Sequence, residues 1–138
     1  MTITGTTPIR QRPATSSRRR WPIWLFRLTI TTAAVLAFDQ AVFAGQFLSG
    51  SYGALHLHRD NATATVAAIA ASIVTAILWR RAGAGPLWPL PAAIVLFALT
   101  ALQTWLGYQL ILAVHIPLGV TIIVLLIALT AAAWRKTR

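Results

Sequence analysis

The sequence predicts an all-α protein, a bundle of four transmembrane helices built as two repeated hairpins. Three observations predict it. The 138 residues are 57% hydrophobic and 10% charged, with a mean hydropathy of +0.70, whereas a soluble domain carries about 25% charged residues. The apolar residues fall in four long stretches, each near the ~20 residues that a bilayer requires. Arginines cluster at the ends of those stretches, as topology signals do.

The predicted organisation is a disordered basic cytoplasmic tail over residues 1–20 and a transmembrane domain over residues 21–138. The tail is rich in Thr, Ser, Pro and Arg, a composition that cannot bury enough apolar surface to fold. A Gly- and Pro-containing turn separates the second helix from the third, and a very short turn makes the third and fourth antiparallel neighbours. The helices are predicted at about 24–47, 54–79, 87–108 and 114–134.

The first apolar stretch also has features of a cleaved signal peptide, because arginines precede it and small residues lie near its end. Its apolar run is long, however, and Asp39 and Gln40 lie inside it. A membrane helix is therefore the favoured interpretation. On that interpretation the chain is a multi-pass protein, expected in a bacterial plasma membrane.

Basic residues predict the orientation of the helices. They precede helix one or lie in its first turn, lie between helices two and three, or end the chain, and only Arg59 falls on the opposite side. The positive-inside rule then places both termini in the cytoplasm. Tryptophans typical of a membrane interface mark the same side: Trp21, Trp24, Trp79, Trp88 and Trp134.

Composition also excludes several classes of function. The net charge of +10 does not indicate a nucleic-acid partner, because the bases end apolar runs and form no basic polar face between them. The lipid bilayer is the expected partner. With no cysteine, the chain cannot hold disulfides, thiolate metal sites or covalently attached c-type haem.

Two histidines occupy equivalent places in the two halves of the chain. Gln40 precedes His58 and Gln103 precedes His115, and a Trp-Arg pair follows each histidine at the end of its helix. Such a repeat relates the two hairpins by an axis along the membrane normal. His58 and His115 are therefore expected at similar depth, in the half of the membrane away from the termini.

Paired histidines in a membrane bundle indicate a haem site. Helices two and four can face each other across a four-helix core, and neutral imidazole is a good iron ligand. Two such ligands would give a six-coordinate, low-spin haem b. Small residues one turn after each ligand, Ala62 and Gly119, would let a flat porphyrin approach the helices, although small residues also simply pack transmembrane helices.

Other polar residues have several open interpretations. His56 cannot share a helix face with His58 and is interpreted as interfacial. If helix two begins after His58, both could join His115 and Asp60 in a copper or zinc site.

Arg59, with Tyr108, could bind haem propionates. Asp39, Gln40, Gln103 and His56 are possible supports for the ligands. Asp39 could orient a histidine, relay protons or simply pair with Arg59. Both principal histidines could also be packing residues.

Two short motifs resemble haem A synthases. Residues 102–107, Leu-Gln-Thr-Trp-Leu-Gly, followed by His115, resemble that family's Leu-Gln-x-x-Leu-Gly and its later histidine. His58-Arg59 followed by Ala62 resembles its His-Arg-x-x-Ala. Over about residues 28–134 the chain looks like one four-helix half of such an enzyme, which implies that His58 and His115 are axial ligands. It also resembles small uncharacterised four-helix bacterial membrane proteins. The family's glutamate is Leu55 here, so haem binding is implied rather than haem A synthesis.

The leading functional prediction is therefore a membrane b-type cytochrome that passes electrons to a quinone or a partner redox subunit. Whether the chain is itself an enzyme is left open, and it could form a homo- or hetero-oligomer. A second hypothesis is an accessory subunit of a larger membrane complex, without a cofactor. A third is a small transporter or proton-conducting element that uses Asp39.

Overall fold

A computed structural model of the chain describes residues 21–82 and 85–135, and four helices account for most of them. Each helix is long and apolar enough to cross a membrane, as the sequence predicts. The predicted tail and the last three residues lie outside the described residues. The helices are α1 (Trp21–Leu48), α2 (Ala54–Arg81), α3 (Pro89–Tyr108) and α4 (Leu112–Trp134).

Each helix packs against its neighbours in the chain, and α1 also packs against α4, which closes the bundle. Helices α2 and α4 therefore lie diagonally opposite each other, as do α1 and α3. We call one end of the bundle the arginine end: it holds the start of α1, the end of α2, the start of α3 and the end of α4. The opposite end, which carries His58 and His115, is the histidine end.

The close-packed core lies in the middle of the bundle and at its arginine end. On α1 the buried residues stop at Ala37, on α4 they start at Ile122, and on α2 only Ala54 is buried before Thr65. Around the two histidines, therefore, these three helices contribute little to the core. The core cluster comprises Phe26, Ile30, Ala33, Ala37, Ile69, Ala76, Trp79, Leu96, Ile122, Leu126, Leu129 and Ala133.

Buried hydroxyl groups in the core are satisfied inside their own helices. Thr65, Ser72 and Thr100 each donate to the carbonyl four residues earlier, at 2.8, 2.9 and 2.7 Å. This arrangement suits a membrane, where no water is present to bind a free polar group. Between helices, the hydroxyls of Thr29 and Thr75 share a hydrogen bond of 3.0 Å that joins α1 to α2.

Candidate functional site

The imidazole rings of His58 and His115 lie next to each other at the histidine end, in an edge-to-face arrangement. Their centroids are 6.3 Å apart and their planes are inclined by 61°. His58 lies in the second turn of α2 and His115 in the first turn of α4, and both side chains are half-buried. The structure thus brings together the two histidines that the sequence singles out, across the diagonal of the bundle.

Each ring is held by a backbone carbonyl of the preceding helix. Nδ1 of His58 lies 3.1 Å from the carbonyl oxygen of Gln40, and Nδ1 of His115 lies 2.9 Å from that of Gln103. A carbonyl oxygen only accepts, so in the neutral ring Nδ1 carries the proton and donates it. The lone pair then remains on Nε2 of both rings, which is the atom that a metal would bind.

Both hairpins therefore make the same contact, from a glutamine carbonyl to a histidine in the following helix. In the first hairpin the contact is reciprocal, because Nε2 of Gln40 also donates to the backbone oxygen of His58 at 3.0 Å. The shared contact supports the repeat that the sequence predicts. It also fixes the tautomer of each ring before any ligand arrives.

A tight turn returns the chain from α3 to α4 and brings His115 back against α3. Leu110 in this turn has a φ of 57°, a left-handed conformation that non-glycine residues rarely adopt. His115 then lies against Gly107: a Cβ added there would be 2.9 Å from Cε1 of the ring and 3.2 Å from Nδ1. Gly107 thus makes room for the imidazole, whereas a Cβ at Gly45 of the first hairpin would meet nothing within 4 Å.

The side-chain amides of Gln40 and Gln103 also lie in the site. The Oε1 atom of each is buried and has no hydrogen-bond partner among the described residues. Gly119 allows α4 to approach Gln103 closely, because a Cβ at Gly119 would lie 2.8 Å from Nε2 of that amide. An unpaired buried acceptor costs about 1–3 kcal/mol, so a donor supplied from outside the chain would stabilise the site.

The remaining predicted residues do not hold either histidine ring. His56 and Arg59 are exposed, and Ala62 is half-buried one turn after His58. Asp39 is half-buried, but the backbone of Gln40, and not the Asp39 carboxylate, is the acceptor that orients His58. The sequence predicts Gln40 and Gln103 as supports of the ligands but does not reveal that their backbone carbonyls bind the histidine rings. Every residue has a backbone carbonyl, so residue type cannot indicate which one is used.

The alternative copper or zinc site required α2 to begin after His58. The helix instead begins at Ala54, which places His58 inside it. Within residues 21–82 and 85–135, no three or more His, Cys, Asp or Glu side chains gather closely enough to hold a metal ion. A four-ligand site from His56, His58, Asp60 and His115 is therefore not formed.

A metal between two imidazoles imposes a simple distance test. An imidazole nitrogen binds a transition metal at about 2.0 Å and lies about 1.15 Å from its ring centre, so opposed ligands have centroids about 6.3 Å apart. The observed separation is 6.3 Å. Two neutral imidazoles at this separation could hold a haem iron through their Nε2 atoms.

Comparison of the chain with protein-family models, with curated proteins and with solved structures finds no match. The resemblance to haem A synthases stays a prediction from two short motifs.

Proposed function

We propose that this protein is a membrane-embedded b-type cytochrome in which His58 and His115 are the axial ligands of one haem. The chain would reside in a bacterial plasma membrane with both termini in the cytoplasm. The haem would then lie near the outer surface, and the protein would pass electrons between that side of the membrane and a redox partner.

One observation carries this proposal: two repeat-related imidazoles lie 6.3 Å apart, and each has Nδ1 bound to a backbone carbonyl. A histidine that only packs a core needs no partner ring at a metal-spanning distance. The thin core at the histidine end also supports the proposal, because α1, α2 and α4 bury few residues there. A large apolar cofactor would supply the missing packing contacts.

The haem, when bound, supplies a one-electron couple whose potential the protein tunes. The residues of the chain hold and orient it. The carbonyl oxygens of Gln40 and Gln103 accept hydrogen bonds from the two Nδ1–H groups. These hydrogen bonds raise the basicity of Nε2 and so make it a stronger ligand. The apolar helices exclude water, which favours the less charged state of the iron. Exposed Arg59 and Tyr108 at the histidine end are suited to bind the propionates.

A redox partner is required for turnover, and the proposed position of the haem restricts it. A lipid-soluble quinone or a second membrane subunit can approach the histidine end from within the bilayer. The exposed side chains there, including Leu57, Trp105 and Val114, are mainly apolar, which suits either partner.

Titration of the haem-free protein with haemin tests the proposal. We expect saturation at one haem per chain, with the Soret band of a six-coordinate low-spin species, because the two Nε2 atoms define one site. The control is the double variant His58→Ala/His115→Ala, for which haemin should only partition into detergent. Saturable binding of equal affinity by this double variant would contradict the proposal.

A further inference from the structure

A positive charge without an acidic neighbour lies in the second turn of α1, at the arginine end. The half-buried Arg27 directs Nε to the carbonyl oxygen of Ala133 at 2.9 Å. Its guanidinium carbon lies 5.0 Å from the ring centroids of both Trp24 and Trp134. These contacts fix the guanidinium group between α1 and α4.

The contacts leave the charge of Arg27 unneutralised. Arginine stays protonated in proteins, and a charge inside a membrane segment is costly unless it is paired. The whole chain has only two acidic residues, Asp39 and Asp60, and both lie toward the histidine end. Asp39 is twelve residues further along α1, about 18 Å away along the helix axis. The side chains of the described residues therefore supply no counter-charge at the arginine end, and an anionic group of the membrane can supply it.

A cavity beside Arg27 indicates what brings that counter-charge. It has a volume of about 300 Å³ and is lined by Trp24, Leu28, Thr31 and Trp134. The two tryptophan rings that flank the guanidinium are thus also walls of the cavity. Nε1 of Trp134 donates to the hydroxyl of Thr31 at 3.1 Å, which holds the ring in place. An anionic group that pairs with Arg27 can therefore extend an apolar chain into the cavity.

We propose that Arg27, with the cavity that Trp24 and Trp134 line, binds one anionic phospholipid at the arginine end. The lipid phosphate pairs with the guanidinium nitrogens that face away from Ala133, and part of an acyl chain lies against Leu28 and the tryptophan rings. Arg80, Arg81 and Arg135 are exposed at the same end and add a positive field that favours an anionic headgroup over a zwitterionic one. This site is independent of the haem.

Native mass spectrometry of the full chain, released from detergent with added lipid, tests the proposal. We expect one phosphatidylglycerol to be retained in preference to phosphatidylcholine. Arg27→Gln keeps a side-chain donor for the Ala133 carbonyl but removes the charge, and should bind phosphatidylglycerol about fivefold more weakly. Arg80→Gln is the matched control, because it removes one exposed charge of the surrounding field but no contact of the site, and it should weaken binding clearly less than Arg27→Gln does.

Leu28→Trp provides a second test that leaves every charge in place. The larger side chain should fill the cavity and weaken lipid retention, while circular dichroism shows unchanged helix content. Equal weakening by Arg27→Gln and Arg80→Gln would overturn the proposal, since it would show that the lipid is attracted by the overall positive charge of this end and does not bind at Arg27. Full displacement of the lipid by inorganic phosphate, or unchanged retention in Leu28→Trp, would overturn it as well.

Discussion

Replacement of His58 or His115 by alanine is expected to abolish the low-spin haem spectrum. Either change removes one of two axial ligands, so the remaining iron is five-coordinate and high-spin, with a weakened and shifted Soret band. The affinity for haem should also fall by about tenfold or more. Absorption spectra of the purified variants, oxidised and reduced, measure both effects.

His56→Ala is the matched control for these variants. His56 is two residues from His58 on the same helix but is exposed, and its removal should leave the spectrum unchanged. Added imidazole distinguishes loss of a ligand from loss of the fold, because it can enter the space left in His115→Ala and restore the low-spin form. A normal low-spin spectrum in His115→Ala without imidazole would refute the ligand assignment.

Gly107→Ala is expected to disturb the site almost as strongly, although the residue has no functional group. The added methyl carbon would lie 2.9 Å from Cε1 of His115, a distance shorter than van der Waals contact, so the ring must move. The ring is also held by the Gln103 carbonyl at 2.9 Å, and movement weakens either this bond or ligation of the iron. We expect haem affinity to fall by about tenfold, as for other changes that misplace a metal ligand.

Gly45→Ala is the comparison that isolates this effect. Gly45, near the end of α1 in the first hairpin, also lies inside a helix, but an added Cβ there meets nothing within 4 Å. That variant should bind haem normally and be more stable by up to about 1 kcal/mol, because alanine favours a helix over glycine. Equal haem affinities of the two alanine variants, measured by haemin titration, would show that the contact between Gly107 and His115 is unimportant.

Much of the fold follows from the sequence because a membrane segment must be long, apolar and helical. The second helix was predicted at about 54–79 and is Ala54–Arg81; the fourth was predicted at about 114–134 and is Leu112–Trp134. The differences lie at the helix ends, where apolar content no longer determines which residue begins or ends the helix. The first helix, for example, begins at Trp21 and not at Trp24, since an interfacial segment can be helical as well.

The sequence predicts which side chains form the candidate site, but not the backbone features that position them. The repeat brought His58 and His115 to attention, and the structure places their rings together. Three features have no equivalent in a pattern of residue types: the carbonyl acceptors at Gln40 and Gln103, the space that Gly107 leaves, and the left-handed turn at Leu110. Each depends on how two helices approach each other, which local sequence does not encode.

An absorption spectrum of the detergent-purified protein, first oxidised and then reduced with dithionite, tests the central claim most directly. The proposed haem predicts a Soret band that sharpens and shifts on reduction, together with the narrow α and β bands of a six-coordinate low-spin haem b. A protein that stays colourless after haemin is supplied would contradict the claim. His58 and His115 would then be two packing residues, and the chain would be better described as an accessory membrane subunit.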